Sequence, residues 1–362
     1  MTRIHNFSAG PGALPQSVLA QAQQDLMSHG DWGIGIAECS HRSPQFEAVI
    51  DGARSRIHRL LVCDEDQEVL FLHGGARTQF FMLPMNLLKG GRAAYHNTGQ
   101  WSKGAIAEAR RFGDIDVLFD SADSRFDHVP QPGEVATPDP GTTYLHYTSN
   151  NTVAGTQYHW LPQVPEGCHL ACDMSSDFLS RPVDGSKFGF IYAGAQKNVG
   201  PSGATVVVVR KSWMSQADPD LPSMLQLGLH ASKGSMYNTP CTLAIYFIDL
   251  VTRWIEDQGG LVAVDERNRR QAAAIYDAID HSDRWQGKVR TSSRSLMNVT
   301  FTTGDEALDT AFWQSAAEAG ISGLKGHRSV GGLRASIYNA QTDEAVDALV
   351  GLMDAFAKAN PA

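Results

Sequence analysis

The sequence predicts an α/β protein: a large domain around a mostly parallel sheet, then a smaller C-terminal α/β domain. Three observations lead there. Between Val69 and Val209, short apolar runs alternate with longer helical or polar stretches, as strands joined by crossovers do. Past about residue 258 that rhythm gives way to long helical stretches separated by single strands. A chain of 362 residues also exceeds what one hydrophobic core usually serves, so two domains are expected.

Each element has its own justification. Pro15 to Met27 reads as a helix, because proline suits a first turn and Val18, Leu19, Ala22 and Leu26 share one face. Phe46 to Val62 is a second, with Phe46, Val49, Ile50, Ala53, Ile57, Leu60 and Leu61 at helical spacing. Strands are expected at Val69 to Leu72, Ala93 to His96, Asp116 to Phe119 and Thr143 to His146. Further strands follow at Cys168 to Cys172, Gly189 to Ala193 and Thr205 to Val209, apolar enough to be buried on both faces. The tail reads as a long helix from Leu261 to Ile279, a strand at Ser295 to Phe301 and a helix at Ala307 to Ala319. A strand at Leu333 to Tyr338 and a helix at Thr342 to Lys358 complete it, with Thr342 as N-cap and Asp343 and Glu344 favourable to the helix dipole. The expected division is an N-terminal segment 1–15, a large domain 16–258 and a small domain 259–362.

Composition excludes several functions. No apolar run reaches the roughly 18 residues of a membrane span. The start, Met1-Thr2-Arg3-Ile4-His5-Asn6, has no apolar signal region, so cytoplasm is the expected compartment. The net charge of -9 and the lack of a basic run argue against a nucleic-acid partner, while local arginines still permit an anionic small molecule. Cys39, Cys63, Cys168, Cys172 and Cys241 form no metal-ligand pattern and are an odd number, so buried free thiols are expected.

The chemistry concentrates just after the strands, where ligands gather in open α/β sheets. Lys197 stands in Tyr192-Ala193-Gly194-Ala195-Gln196-Lys197-Asn198, between two buried apolar runs. A lysine withdrawn from water loses its proton more readily, and the neutral amine attacks aldehydes, so Lys197 is a candidate Schiff-base lysine. An ordinary loop lysine fits the segment equally well. His73-Gly74-Gly75-Ala76-Arg77 joins a strand to a helix and offers backbone N–H groups to an anion, or is a tight structural turn. Asp173 closes an apolar strand one structural unit before Lys197, where it can pair with a pyridinium nitrogen or cap the following turn. Trp101 follows another strand and either stacks on an aromatic cofactor or fills the core. Thr152 offers a hydroxyl to a ligand oxygen. His41-Arg42 and His327-Arg328, joined by Arg334, form positive clusters suited to carboxylate or phosphate.

These residues resemble the phosphoserine aminotransferase family, class V pyridoxal-phosphate (PLP) enzymes of the aspartate aminotransferase-like fold. The motifs run almost end to end. They are Asn6-Phe7-Ser8-Ala9-Gly10-Pro11, Ser40-His41-Arg42, His73-Gly74-Gly75-Ala76-Arg77, Gly99-Gln100-Trp101 and Ala193-Gly194-Ala195-Gln196-Lys197-Asn198. Gly234-Ser235-Met236-Tyr237-Asn238-Thr239-Pro240 and Leu324-Lys325-Gly326-His327-Arg328 follow, and Gly332 to Ala340 closes the series. The resemblance implies a PLP-dependent transferase of fold type I, with a seven-stranded sheet in the large domain. It implies that Lys197 carries PLP and shuttles a proton, that Asp173 pairs with the pyridine nitrogen, that Trp101 stacks on the ring and that Thr152 contacts its phenolic side. Ala76, Arg77 and Gln196 would hold the phosphate, joined by Asn238 and Thr239 of a neighbouring subunit in a homodimer. Ser8, His41, Arg42, His327, Arg328 and Arg334 match substrate-binding positions, with Arg334 the clamp for the α-carboxylate.

The implied reaction is ping-pong transamination between L-glutamate and 3-phosphohydroxypyruvate, with 3-hydroxy-2-oxo-4-phosphooxybutanoate as a further acceptor. The chain departs from the family at Ala76, where glycine is usual; a Cβ is tolerated there if φ is negative. It also departs around Asn150-Asn151-Thr152 and at Ser43-Pro44. The rivals are another class V enzyme and a non-catalytic ligand-binding protein on the same fold. A desulfurase needs a cysteine in a loop near the small domain, and none follows Cys241. Lys197 and Asp173 together argue against the non-catalytic protein.

Overall fold

The computed structural model describes residues 3–362. Its central sheet has seven strands: β1 (Gln67–His73), β2 (Arg92–Asn97), β3 (Asp114–Asp120), β4 (Thr142–Thr148), β5 (His169–Asp173), β6 (Phe190–Gly194) and β7 (Ala204–Arg210). Their spatial order is β1-β7-β6-β5-β4-β2-β3. Only β7 runs against the rest, antiparallel to both β1 and β6. The cause is the connection 195–203, shorter than the dozen or so residues a crossover takes, so the chain doubles back. The other six strands therefore end along one edge, and every strand-end motif read from the sequence lies there.

Alternation along the strands builds two cores. Val69 and Phe71 face one side, with Phe46, Ile50 and Ile57 of α2 (Pro44–Leu60) and Ile248 and Ile255 of a later helix, Thr242–Asp257. Leu70 and Leu72 face the other side, with Phe80 and Leu83 of α3 (Arg77–Leu87) and Ile106 of α4 (Gln100–Ala109). The first helix, α1 (Gln16–Asp25), starts just after Pro15 and adds Val18 and Ala22 to the first core. Pro44 at N1, with Ser43 Oγ accepting from Phe46 N at 3.3 Å, begins α2 two residues before its apolar periodicity.

The helix Thr242–Asp257, α5, was not legible as a separate element. It buries Ile245, Tyr246, Ile248, Leu250, Val251 and Ile255, and three of its charged residues, Arg253, Glu256 and Asp257, gather at its end. Next, α6 (Gly260–Asp280) spans two cores: Leu261 and Val264 pack in the first, Ile275 and Ile279 in a third. That third core also takes α7 (Glu306–Glu318), α8 (Asp343–Ala359) and a sheet of β8 (Gln286–Gly287), β9 (Asn298–Thr302) and β10 (Leu333–Ser336). Thr342 caps α8, its Oγ1 accepting from Ala345 N at 3.2 Å.

The N-terminal segment joins the cores. His5–Asn6 pairs in parallel with Ile321–Ser322, Phe7 is buried in the third core, and Gly12 N donates to Gln196 O at 2.8 Å. All five cysteines are free thiols, but burial holds only for Cys39, Cys168 and Cys172. Cys63 and Cys241 are partly exposed; Cys63 follows the end of α2 and Cys241 is the N-cap of α5. No helix among the described residues is long and apolar enough to cross a membrane.

Candidate active site

Lys197 projects from the β6–β7 connection, and its Nζ donates to Thr152 Oγ1 at 2.5 Å. The ammonium lies 5.5 Å from the centre of the Trp101 ring. Burial drives its pKa down to about 8; Asp173 opposes the shift and Arg334 reinforces it. About a tenth of Lys197 is then the free amine at pH 7, against well under a thousandth at the ordinary lysine value.

Asp173 ends β5, in register with Thr148 of β4 and Tyr192 of β6. Its Oδ1 accepts from Ser175 N at 2.9 Å and from Ser175 Oγ at 2.6 Å. Both bonds fall on one oxygen, leaving Oδ2 without a hydrogen-bond partner among the described residues. Burial pushes the carboxyl pKa up, while Lys197 and the Ser175 bonds pull it down. An anion in this setting calls for a cationic partner.

Trp101 sits in the first turn of α4, with the Arg77 guanidinium 5.3 Å from its ring centre and its buried Nε1 lacking an acceptor among the described residues. The turn before it is held by Asn151, whose Nδ2 donates to Thr98 Oγ1 at 3.2 Å. A Cβ on Gly99 would stand 2.5 Å from Asn151 Oδ1, which is why that turn takes glycine.

At the end of β1, Ala76 adopts φ -53° and ψ -26°, so its Cβ brings no strain. The N–H groups of Gly75, Ala76 and Arg77 have no acceptor among the described residues, and they open the 11-residue helix α3. Such a cluster is a ready anion cup. A Cβ on Gly194 would touch both Gln196 Oε1, at 2.7 Å, and Ala76 N, at 3.4 Å, so Gln196 and the turn meet over this glycine. Asn238 and Thr239 are exposed beside the same strand end, where Thr239 O lies 2.7 Å from His73 Nε2.

Arg334, on β10, reaches in from the other side: Nη1 donates to Thr152 O at 3.4 Å and its buried Nε has no partner among the described residues. Burial lowers its pKa. Ser8 packs against Gly323, and the next residue, Ala9, accepts from Tyr338 Oη at 2.7 Å. His327 and Arg328 occupy the turn before β10; burial, then Arg334 and Arg328, holds the His327 pKa down. The structure thus brings Lys197, Thr152, Asp173, Trp101, Arg77 and Arg334 together. It does not bring His41 and Arg42 to them within one chain. They precede α2, and neither side chain hydrogen-bonds or ion-pairs with another described residue.

Sequence reading missed the residues that fix these groups. Ser175 orients Asp173, and the Asp-x-Ser spacing of a side-chain-to-backbone turn was the signal for it. Asn198, next to Lys197, accepts from Asn339 N at 2.9 Å and donates to Phe178 O at 2.7 Å, pinning the lysine loop on both sides.

Fold and site together define a class. Residues 4–349 match the family described as aminotransferase class-V, and the chain belongs to it. Its relatives there are phosphoserine aminotransferases. That of Desulfotalea psychrophila is 48% identical over 361 residues, covering 99% of each chain. A phosphoserine aminotransferase structure concerned with radiation damage of its Schiff base is 44% identical with a TM-score of 0.96, covering 99% of this chain and 100% of that one. The PLP-bound enzyme of Trichomonas vaginalis is 35% identical with a TM-score of 0.91, over 97% of this chain and 100% of that one.

Proposed function

We propose that this chain is a PLP-dependent aminotransferase exchanging an amino group between L-glutamate and 3-phosphohydroxypyruvate, with O-phospho-L-serine and 2-oxoglutarate as products. 3-Hydroxy-2-oxo-4-phosphooxybutanoate is a second acceptor on this reading. The observation that carries it is the Lys197 amine, its pKa lowered by burial to about 8, set against Thr152 and the Trp101 ring.

The residues fit PLP. The free N–H groups at Gly75, Ala76 and Arg77, with Gln196, suit a phosphate. The unpartnered Asp173 Oδ2 suits a pyridinium nitrogen, Trp101 offers a ring face and Thr152 a hydroxyl for the phenolic oxygen. Bound PLP supplies the electron sink for the carbanion left when the substrate Cα loses its proton. Lys197 would hold the cofactor and, once freed by substrate, would move the proton between the substrate Cα and the cofactor's C4′, work suited to a pKa near the operating pH. Arg334 clamps the α-carboxylate common to donor and acceptor, and Ser8 flanks it. His41, Arg42, His327 and Arg328 recognise the distal phosphate or carboxylate.

The exposed positions of Asn238, Thr239 and Arg42 support a homodimer in which a neighbouring subunit completes each site. On the same reading residues 1–15 are a segment lending groups to the site, 16–258 the cofactor domain and 259–362 the small domain, in a cytoplasmic enzyme. The test is optical. Purified protein is expected to be yellow, to bleach with L-glutamate and to recover its colour with the phosphorylated keto acid. A spectrum that ignores glutamate would sink the reading.

A further inference from the structure

The turn 326–332 carries His327 and Arg328, and its backbone closes on itself. Gly326 N donates to Gly332 O at 2.9 Å, and Val330 N and Gly331 N both donate to His327 O at 2.9 Å. Among the carbonyls left over are those of Val330 and Gly331. Both accept from Lys288 Nζ, each at 3.1 Å. Lys288 lies on a firm support beside β8, its own N–H bonded to Thr300 O of β9 at 3.4 Å.

The fit is close. Gly332 has φ +70°, and a Cβ there would collide with Lys288 Nζ and with Phe301 O, so this position takes glycine for two reasons. The ammonium forms no ion pair among the described residues. With Ser329 and Val330 it lines a cavity of about 1000 Å³ that extends to Val153 and Ala154, the residues after Thr152.

We propose that Lys288 is a positioning residue for recognition of the substrate's distal anion, clamping Val330 O and Gly331 O so that His327 and Arg328 stand in place. The inference rests on the reading that those two residues meet the distal phosphate or carboxylate. Val330 is 43% exposed, so apolar packing does little to hold the turn. Without the clamp both carbonyls bond to water at little cost, and the turn must be ordered again each time a substrate binds. That cost falls on binding rather than on chemistry.

The experiment measures both half-reactions, with L-glutamate and with the phosphorylated keto acid, in Lys288→Met, Lys288→Arg, Arg328→Ala and the double variant Lys288→Met/Arg328→Ala. Lys288→Met is expected to raise KM for the reactant held by His327 and Arg328 about 10-fold, since both lost hydrogen bonds are replaced by bonds to water and only the ordering of the turn is forfeited, with a much smaller change in kcat. Lys288→Arg, which keeps the donors, should recover most of that loss. In the double variant the two KM effects should fall well short of their sum, since Lys288 acts through the turn. An unmoved KM in Lys288→Met, beside a raised KM in Arg328→Ala, would overturn the positioning role alone. Full additivity would also overturn it, making Lys288 a direct anion contact. If Arg328→Ala moves neither KM, the reading of the turn falls and this inference with it. Should Lys288→Met not fold, Lys288→Leu is read by the same criteria.

Discussion

The two ends of the site are built differently. Around Lys197 every group is fixed by another: Thr152 by the ammonium, Asp173 by Ser175, the Trp101 turn by Asn151, and the lysine loop by Asn198. Around the His-Arg pairs the side chains project from turns, with the His327 ring bonded, among the described residues, only to Ser329 and Arg42 exposed. The difference follows from what each end must do. Proton transfer at one carbon needs groups held to fractions of an ångström. Recognition of distal anions on donors and acceptors of unequal length gains from side chains that adjust. The contrast predicts large kinetic losses at the rigid end and smaller losses, mostly in binding, at the other.

The largest effect should come from Lys197→Ala, with turnover falling on the order of 10⁴-fold, the upper range for a single proton-transfer group. Such a variant should still retain PLP without a covalent link, since the phosphate cup and Asp173 remain. Undiminished turnover would remove Lys197 from the mechanism. The lowered pKa adds a pH signature. Only the neutral amine captures the cofactor, and with a pKa of about 8 its fraction rises with pH below that value and levels off above it. The rate at which cofactor-free protein turns yellow on adding PLP should follow that curve. A rate still climbing toward pH 10 would place Lys197 at an ordinary lysine value and break the picture of a buried amine.

Next comes Arg334→Ala, at the boundary between the two ends. Its guanidinium is largely buried and its Nε has no hydrogen-bond partner among the described residues, which suits the proposed clamp on an anion. Removing it should raise KM for glutamate and for the keto acid alike, about 100-fold each, as truncation of a buried charge pair does. Separate titrations of the two half-reactions check this. An effect confined to one reactant would move Arg334 from the shared α-carboxylate to the distal anion and erase the boundary drawn here.

The sequence revealed the Lys197 end better than the His-Arg end, for physical reasons. Buried strands are short apolar runs, and a lone Lys197 or Asp173 at their ends stands out against such a background. The direction of β7 was not legible as such, although the brevity of 195–203 contained it. Long-range partners had no local signature. Nothing near Lys288 in the sequence points to carbonyls some forty residues later, and Asn198 gives no hint of Asn339. His41-Arg42 and His327-Arg328 were legible as charge. Their grouping around Arg334 fails in a single chain for the first pair, because sequence shows which residues are basic and not which surfaces meet.

The smallest predicted effect concerns Ala76, where the family's usual glycine is replaced. If the cup binds phosphate through backbone N–H groups, the side chain at 76 matters only through the conformation it permits. Ala76 already has φ -53°, a right-handed helical conformation open to any residue. Ala76→Gly should therefore change PLP affinity by less than about twofold while lowering stability by about 0.5–1 kcal/mol, through the freer unfolded chain. Equilibrium dialysis of PLP and thermal unfolding of the cofactor-free protein measure the two quantities. A tenfold gain in affinity would show the Cβ crowding the phosphate. The cup would then belong with the adjustable end of the site, and the rigid end would shrink to Lys197, Thr152, Asp173 and the Trp101 turn.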